Sequence, residues 1–162
     1  MEDLKQVKIK APKGYEIDKE NSTFEVIKFK KTAPKDIMER VKTFEDACET
    51  KGVSPEDELP YANPKNKKQK ALNAVAMLWL IAEVLCEGWE ADYNNSNQYK
   101  YYPYFKKVGG SGFGFSNAGC GCDYTRTYIG SRLCFPNEKL AKYFGTQFID
   151  LHNIVLLKQN GI

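Results

Sequence analysis

No apolar run in this chain reaches the roughly 20 residues that a membrane-spanning helix needs. The longest, Ala71 to Cys86, is interrupted by Asn73 and Glu83 and reads as a buried helix, so no membrane partner is expected. An apolar signal segment is missing too, since Met1-Glu2-Asp3-Leu4-Lys5 leads straight into charged, alternating sequence. The expectation is a protein of the cytoplasm. Histidine occurs once, at His152, which removes clustered-histidine catalysis and histidine-rich metal sites. Charge of one sign is nearly absent in net terms. Lys and Arg number 24 against 21 Asp and Glu, a formal net charge of +3, too small for a global field that would draw the chain onto polyanions. The five cysteines include no CxxC pair, and an odd count without a secretory context argues for reduced thiols over a disulfide framework.

What is present is the composition of a folded protein, 42% hydrophobic and 28% charged over 162 residues. That length suits one domain, 1–162, with a single core. Val7 and Ile9 alternate with Lys8 and Lys10, and after Pro12-Lys13-Gly14 the alternation resumes at Tyr15 and Ile17 and again from Phe24 to Lys30. An N-terminal antiparallel β-unit is expected over 5–31. Ile37, Val41, Phe44 and Cys48 share one face at helical spacing, giving a helix over about 35–50 that stops at Gly52. Asn63-Pro64 reads as a cap and first helical position, so a second helix is expected over about 64–87. Its apolar stripes are wide: Leu72, Val75, Trp79, Ala82 and Cys86 on one, Leu78, Ile81 and Leu85 on the next. A helix so wrapped in apolar residues belongs at the centre of the core. A three-stranded antiparallel meander over 89–135 follows, with Pro103 demoting its first strand to an edge or a bulge. Asn137 caps a closing amphipathic helix, 137–157, striped by Leu140, Phe144, Phe148, Leu151 and Val155 and laid on one face of the sheet. The fold class is α+β.

Between Gly88 and Phe135 lie 7 of the 10 tyrosines, 8 of the 12 glycines and 3 of the 5 cysteines. Alternation along the strand from Tyr124 to Phe135 puts Tyr124, Arg126, Tyr128 and Arg132 on one face. On the neighbouring strand Lys100 and Tyr102 share a face with Tyr104 and Lys106. Tyrosine stacks on bases, and arginine adds charge-assisted bonds to phosphate. The face formed by Tyr124, Arg126, Tyr128, Arg132, Tyr102 and Lys100 is therefore the candidate ligand surface. The same Tyr and Arg pairs serve equally as ordinary cross-strand stabilisation on a solvated sheet.

Other chemistry finds less in the sequence. Cys120-Gly121-Cys122 with Cys134 offers three thiols but not the paired spacing of a zinc site, and a glycine turn accounts for it; no metal or cofactor is expected. The Gly109 to Gly114 cluster lacks the lysine and the helix of a phosphate loop and reads as a hairpin. Glu90 and Asp92 read as solvated turn acids, with no nucleophile beside them to make an enzyme.

Gly14-Tyr15-Glu16-Ile17-Asp18 and Ser22-Thr23-Phe24-Glu25-Val26-Ile27-Lys28-Phe29-Lys30 resemble the start of a group of uncharacterised small proteins from phages and integrated elements of Bacteroides-type gut bacteria. The resemblance continues through Gly88, Trp89, Asp92 and Tyr93, through Lys100 and Tyr101, and through Ser131, Arg132 and Phe135 to Phe148, Asp150 and Leu151. It covers both ends of the chain and implies a phage or mobile-element protein acting in a bacterial host cell. It implies no activity. The segment from Gly109 to Asp123 departs from the shared pattern and reads as an insertion, which argues against the CxC as a site of the whole group. The function expected is non-enzymatic binding of a nucleotide or single-stranded nucleic acid through the Tyr/Arg sheet face. The alternative is a structural or interaction protein, in a virion or on a host partner, with no such ligand.

Overall fold

The computed structural model of the chain describes residues 8–32, 34–109, 112–122 and 131–157. Helices and two small antiparallel sheets make it an α+β protein, divided into two compact units, Met1–Lys35 and Asp36–Ile162.

The first unit is a β-hairpin shorter than its alternation suggests. Strand β1, Tyr15–Ile17, pairs with β2, Phe29–Lys31, in the register Tyr15 to Lys31 and Ile17 to Phe29. Residues 8–12 form no strand, because the chain turns sharply before β1: Tyr15 N–H donates to the Pro12 carbonyl and Gly14 sits at φ +81°, where glycine alone is unstrained. Nor does the second strand start at Phe24. Thr23 to Val26 is a turn closed by Thr23 N–H donating to the Val26 carbonyl and by Val26 N–H donating to Thr23 Oγ1.

In the second unit the first helix is broken in two. Helix α1, Ile37–Arg40, ends at Val41, and α2, Phe44–Lys51, restarts from a capping box in which Thr43 and Asp46 exchange side-chain and backbone bonds. Such a box satisfies otherwise orphaned N–H groups and makes the corner stable. The expected stripe survives the break, since Ile37, Val41, Phe44 and Cys48 are all buried. Helix α3, Lys67–Leu85, starts three residues later than Asn63-Pro64 suggests. Its cap is Asn66, whose Oδ1 accepts from Gln69 N–H at 2.9 Å. Leu78, Ile81 and Leu85 are buried as their stripe requires, whereas Leu72 and Trp79 are 40% and 46% exposed. Buried Asn73 ties the preceding loop to this helix by exchanging two bonds with the Tyr61 backbone.

Strands β3, Lys100–Val108, and β4, Gly112–Gly121, form a hairpin with a bulge where Tyr104 and Phe105 skip a partner. The expected turn at Gly119 to Cys122 is therefore largely the end of a strand, with the Tyr104 ring lying across the space at Gly119. The meander's third strand is not there among the described residues. Ser131–Leu133 is a 3-10 turn, and Phe135 makes a single antiparallel bridge to Tyr101, on the edge of β3 away from β4. The next rung would need an N–H from Pro103, which has none. Residues 124–130 of that expected strand lie outside the described residues.

The closing helix is also two pieces, α4, Glu138–Gln147, and α5, Ile149–Leu156, with Phe148 at the joint (φ −106°, ψ 28°). Leu140, Phe144 and Phe148 are buried, but the joint turns the stripe so that Val155 is exposed. Helix α4 packs on β3 and β4, α5 on α3 and β4, and α2 on α3. The approach of α4 is set by Gly145, where a Cβ would lie 2.6 Å from Pro103 Cβ and 2.7 Å from the Phe115 ring. Opening this contact should outweigh the gain in helix propensity. Gly145→Ala is expected to lose about 1–2 kcal/mol, a fall of roughly 2–8 °C in the thermal midpoint. An unchanged midpoint by calorimetry would show the contact to be loose.

His152 is buried between Phe105, 4.4 Å away between ring centres, and Phe144, 4.9 Å away, and its Nε2 has no partner. Burial pushes its pKa down to about 4, against a smaller upward effect of a hydrogen bond to the Phe144 backbone. The unfolded chain takes up a proton near pH 6.5 that the folded chain refuses. Stability is thus complete above pH 6.5 and falls as the pH drops toward 4, by about 3 kcal/mol over that window. Urea denaturation across pH 4–7 should show this slope, and His152→Phe should flatten it.

Candidate ligand groove

Lys100 and Tyr102, two of the six residues expected on an exposed ligand face, are interior. Lys100 is 1% exposed and Tyr102 4%. Alternation places them on one face of β3 correctly, but that face is covered by the loop after α3. The loop is knitted locally: Asp92 N–H donates to Gln98 Oε1, Gln98 Nε2 donates to the Glu90 carbonyl, and Asn94 N–H donates to Asp92 Oδ1. Lys100 Nζ donates to the backbone carbonyls of Asp92, Asn95 and Cys122 and lies 5.1 Å from the centre of the Tyr93 ring. Three acceptors match the three donors of an ammonium group, so the charge that was expected to meet a phosphate is spent inside. Tyr102 packs with Cys134, Trp89, Ala91 and Leu133 beneath the loop. Tyr124, Arg126 and Tyr128 lie outside the described residues. Arg132 is described and exposed, though on the 3-10 turn and not on a strand.

Arg132 leads to a different site. Its guanidinium carbon lies 5.3 Å from the centre of the Trp79 ring, within the range of a cation-π contact. The pair lines a groove of about 840 Å3 whose other walls include Trp89, Arg40, Lys51, Glu83, Cys86, Glu87, Glu90 and Cys134. Both tryptophans of the chain and two of its three arginines are gathered here. Helix α3 supplies Trp79, Ala82, Glu83 and, at its end, Cys86. The chain then reverses through Glu87 and Gly88, both at positive φ (47° and 85°), and delivers Trp89. Arg40 comes from α1 and Lys51 from α2.

The charges of the groove balance. Arg40 Nη2 bonds Glu87 Oε1 at 2.6 Å, and Lys51 Nζ bonds Glu83 Oε2 at 3.0 Å. Arg40 Nε is buried without a partner. Among the described residues, Arg132 and Glu90 are the lining charges without an ion pair.

Two thiols form part of the lining. Cys86 Sγ lies 3.5 Å from the Cys134 carbonyl, and Cys134 Sγ lies 4.0 Å from the Tyr93 hydroxyl. Burial, with Cys134 beside it, pushes the Cys86 thiol up to about 12, and burial raises Cys134 as well. A nucleophilic thiol needs the opposite shift, so these side chains are apolar lining at neutral pH. Cys120 is exposed and Cys122 half-buried, so with buried Cys134 the three thiols sit in unlike surroundings. Among the described residues no three His, Cys, Asp or Glu side chains are grouped to hold a metal ion. No helix described is long and apolar enough to cross a membrane.

The sequence does hold a signal for this groove. Trp79 sits at the edge of an apolar stripe too wide for one helix to bury, and Trp89 follows four residues after the helix ends. Comparison with protein-family models, curated proteins and solved structures finds no match for this chain. One contrast separates framework from site. Lys100→Met would strand three carbonyls and should cost about 3 kcal/mol or more, whereas exposed Arg132→Ala, which loses a surface cation-π contact, should stay within about 1 kcal/mol of the parent. Equilibrium urea unfolding of the two variants checks this.

Proposed function

We propose that the Asp36–Ile162 unit is a non-enzymatic binding module that takes a nucleotide, alone or exposed in a single strand, in the Trp79–Trp89 groove. The observation that carries this reading is the cation-π contact of exposed Arg132 with Trp79. A guanidinium over an indole face uses none of its N–H donors in that contact, so an exposed one can donate two parallel bonds to a phosphate. A base can stack on an indole of the groove, and Glu90 is an acceptor for a base amino group. The groove is of the size of small-ligand sites. Its balanced charge suits one phosphate group better than a long polyanion, and its protonated thiols favour binding over covalent chemistry. An accessory role for a phage or mobile element, in the cytoplasm of a bacterial host, belongs to the same proposal.

Because both tryptophans line the groove, intrinsic tryptophan fluorescence reports on this site without labelling. Titration with nucleoside mono-, di- and triphosphates and with short single-stranded DNA and RNA, at low salt, should quench or shift the emission. Arg132→Ala should weaken the binding by about 10- to 100-fold. No change in emission and no heat of binding with any of these ligands would overturn the reading.

A further inference from the structure

The groove leaves the Met1–Lys35 unit without a task, and that unit has three properties that belong together. First, none of its described residues is buried, and Ile9, Tyr15, Phe24, Val26 and Phe29 are exposed. A two-stranded hairpin of three-residue strands needs cover to be stable. Second, the loop between its strands is built to hold one side chain out. Asn21 Nδ2 donates to Asp18 Oδ2 at 2.8 Å, Lys28 N–H to Ser22 Oγ at 3.0 Å, and Val26 N–H to Thr23 Oγ1 at 3.1 Å. At the corner of the innermost turn Phe24 is fully exposed. A flexible loop would let this phenylalanine fold back, but one laced by side-chain bonds keeps it outward. Third, the unit carries nine lysines against six acids, which is the whole of the chain's net charge of +3. The Asp36–Ile162 unit, with 15 basic and 15 acidic residues, is neutral.

We infer that Met1–Lys35 is a docking arm for a partner protein whose surface has an apolar pocket, for Phe24, ringed by carboxylates. Charge selects among the occupants. Two copies of the arm repel each other, and a second copy's neutral unit offers no excess of acid. A membrane would have to admit the carboxylate of Glu25 next to Phe24 at the tip of the turn. A nucleic acid gains little from the aliphatic Ile17 and Ile27. Opposite strand residues share a face, so Ile17 and Phe29 form an apolar side, with Glu16 and Lys30 paired at 3.7 Å on the other. Aromatic and aliphatic anchors within a charged rim are the anatomy of a protein interface.

The test uses the full chain with a photo-crosslinking phenylalanine analogue placed at Phe24, irradiated in a lysate of the cells that express it. The crosslinked peptide is sequenced by mass spectrometry, and the protein it identifies is purified for calorimetry. Support consists of a crosslink to another protein at a site flanked by Asp and Glu, with binding weakened tenfold or more by Phe24→Ser. It must weaken likewise with Lys28→Glu and with rising salt. Phe24 is fully exposed, so Phe24→Ser should leave the circular dichroism unchanged. Crosslinks confined to lipid, nucleic acid, a second copy or the chain's own Asp36–Ile162 unit would overturn the inference, as would no crosslink or a partner indifferent to these substitutions.

Discussion

A buried ammonium group organises the Asp36–Ile162 unit. Lys100 stands at the start of β3 with water excluded from its charge, an arrangement that is costly unless every proton finds an acceptor. The acceptors are carbonyls from two separate stretches, Asp92 and Asn95 in the loop after α3 and Cys122 just past β4. Satisfying one charge therefore fixes the loop against the hairpin. That in turn holds Trp89 and Ala91 over Tyr102 and gives the groove a wall that its own short turns could not keep in place.

The groove inherits its character from this scaffold. Helix α3 presents Trp79 on the side that the core does not use, and the 3-10 turn brings Arg132 onto its ring. Ion pairs cancel most of the remaining charge, and burial keeps the thiols of Cys86 and Cys134 protonated. Aromatic faces, an exposed guanidinium and protonated thiols are the features on which the proposed binding of a planar anionic group rests.

Periodicity made much of the framework legible. The spacing of Ile37, Val41, Phe44 and Cys48 names core residues correctly even though the helix is broken at Thr43, because burial follows the face and the face survives a corner. The same logic finds Leu78, Ile81 and Leu85 in α3 and Leu140, Phe144 and Phe148 at the end of the chain. It fails where a residue's fate depends on what comes to lie over it. Alternation puts Lys100 and Tyr102 together but is silent on the loop that covers them, so chemistry suited to a ligand turns out to be structural. Pro103 was legible as an obstacle to pairing. Which edge it would close depended on where Phe135 arrived.

The sequence by itself determined the α+β class, the order of the elements, most of the helical core faces and the absence of a long apolar helix. These depend on local spacing and on the solvation of each side chain, which neighbours in the chain already specify. Only the tertiary structure decided that Lys100 is an internal clamp, that Arg132 lies over Trp79, and that both tryptophans share one groove. The first two join residues some 20 or more positions apart or depend on a carbonyl's direction, the third depends on the chain reversal at Glu87 and Gly88, and neither composition nor period records which surfaces meet.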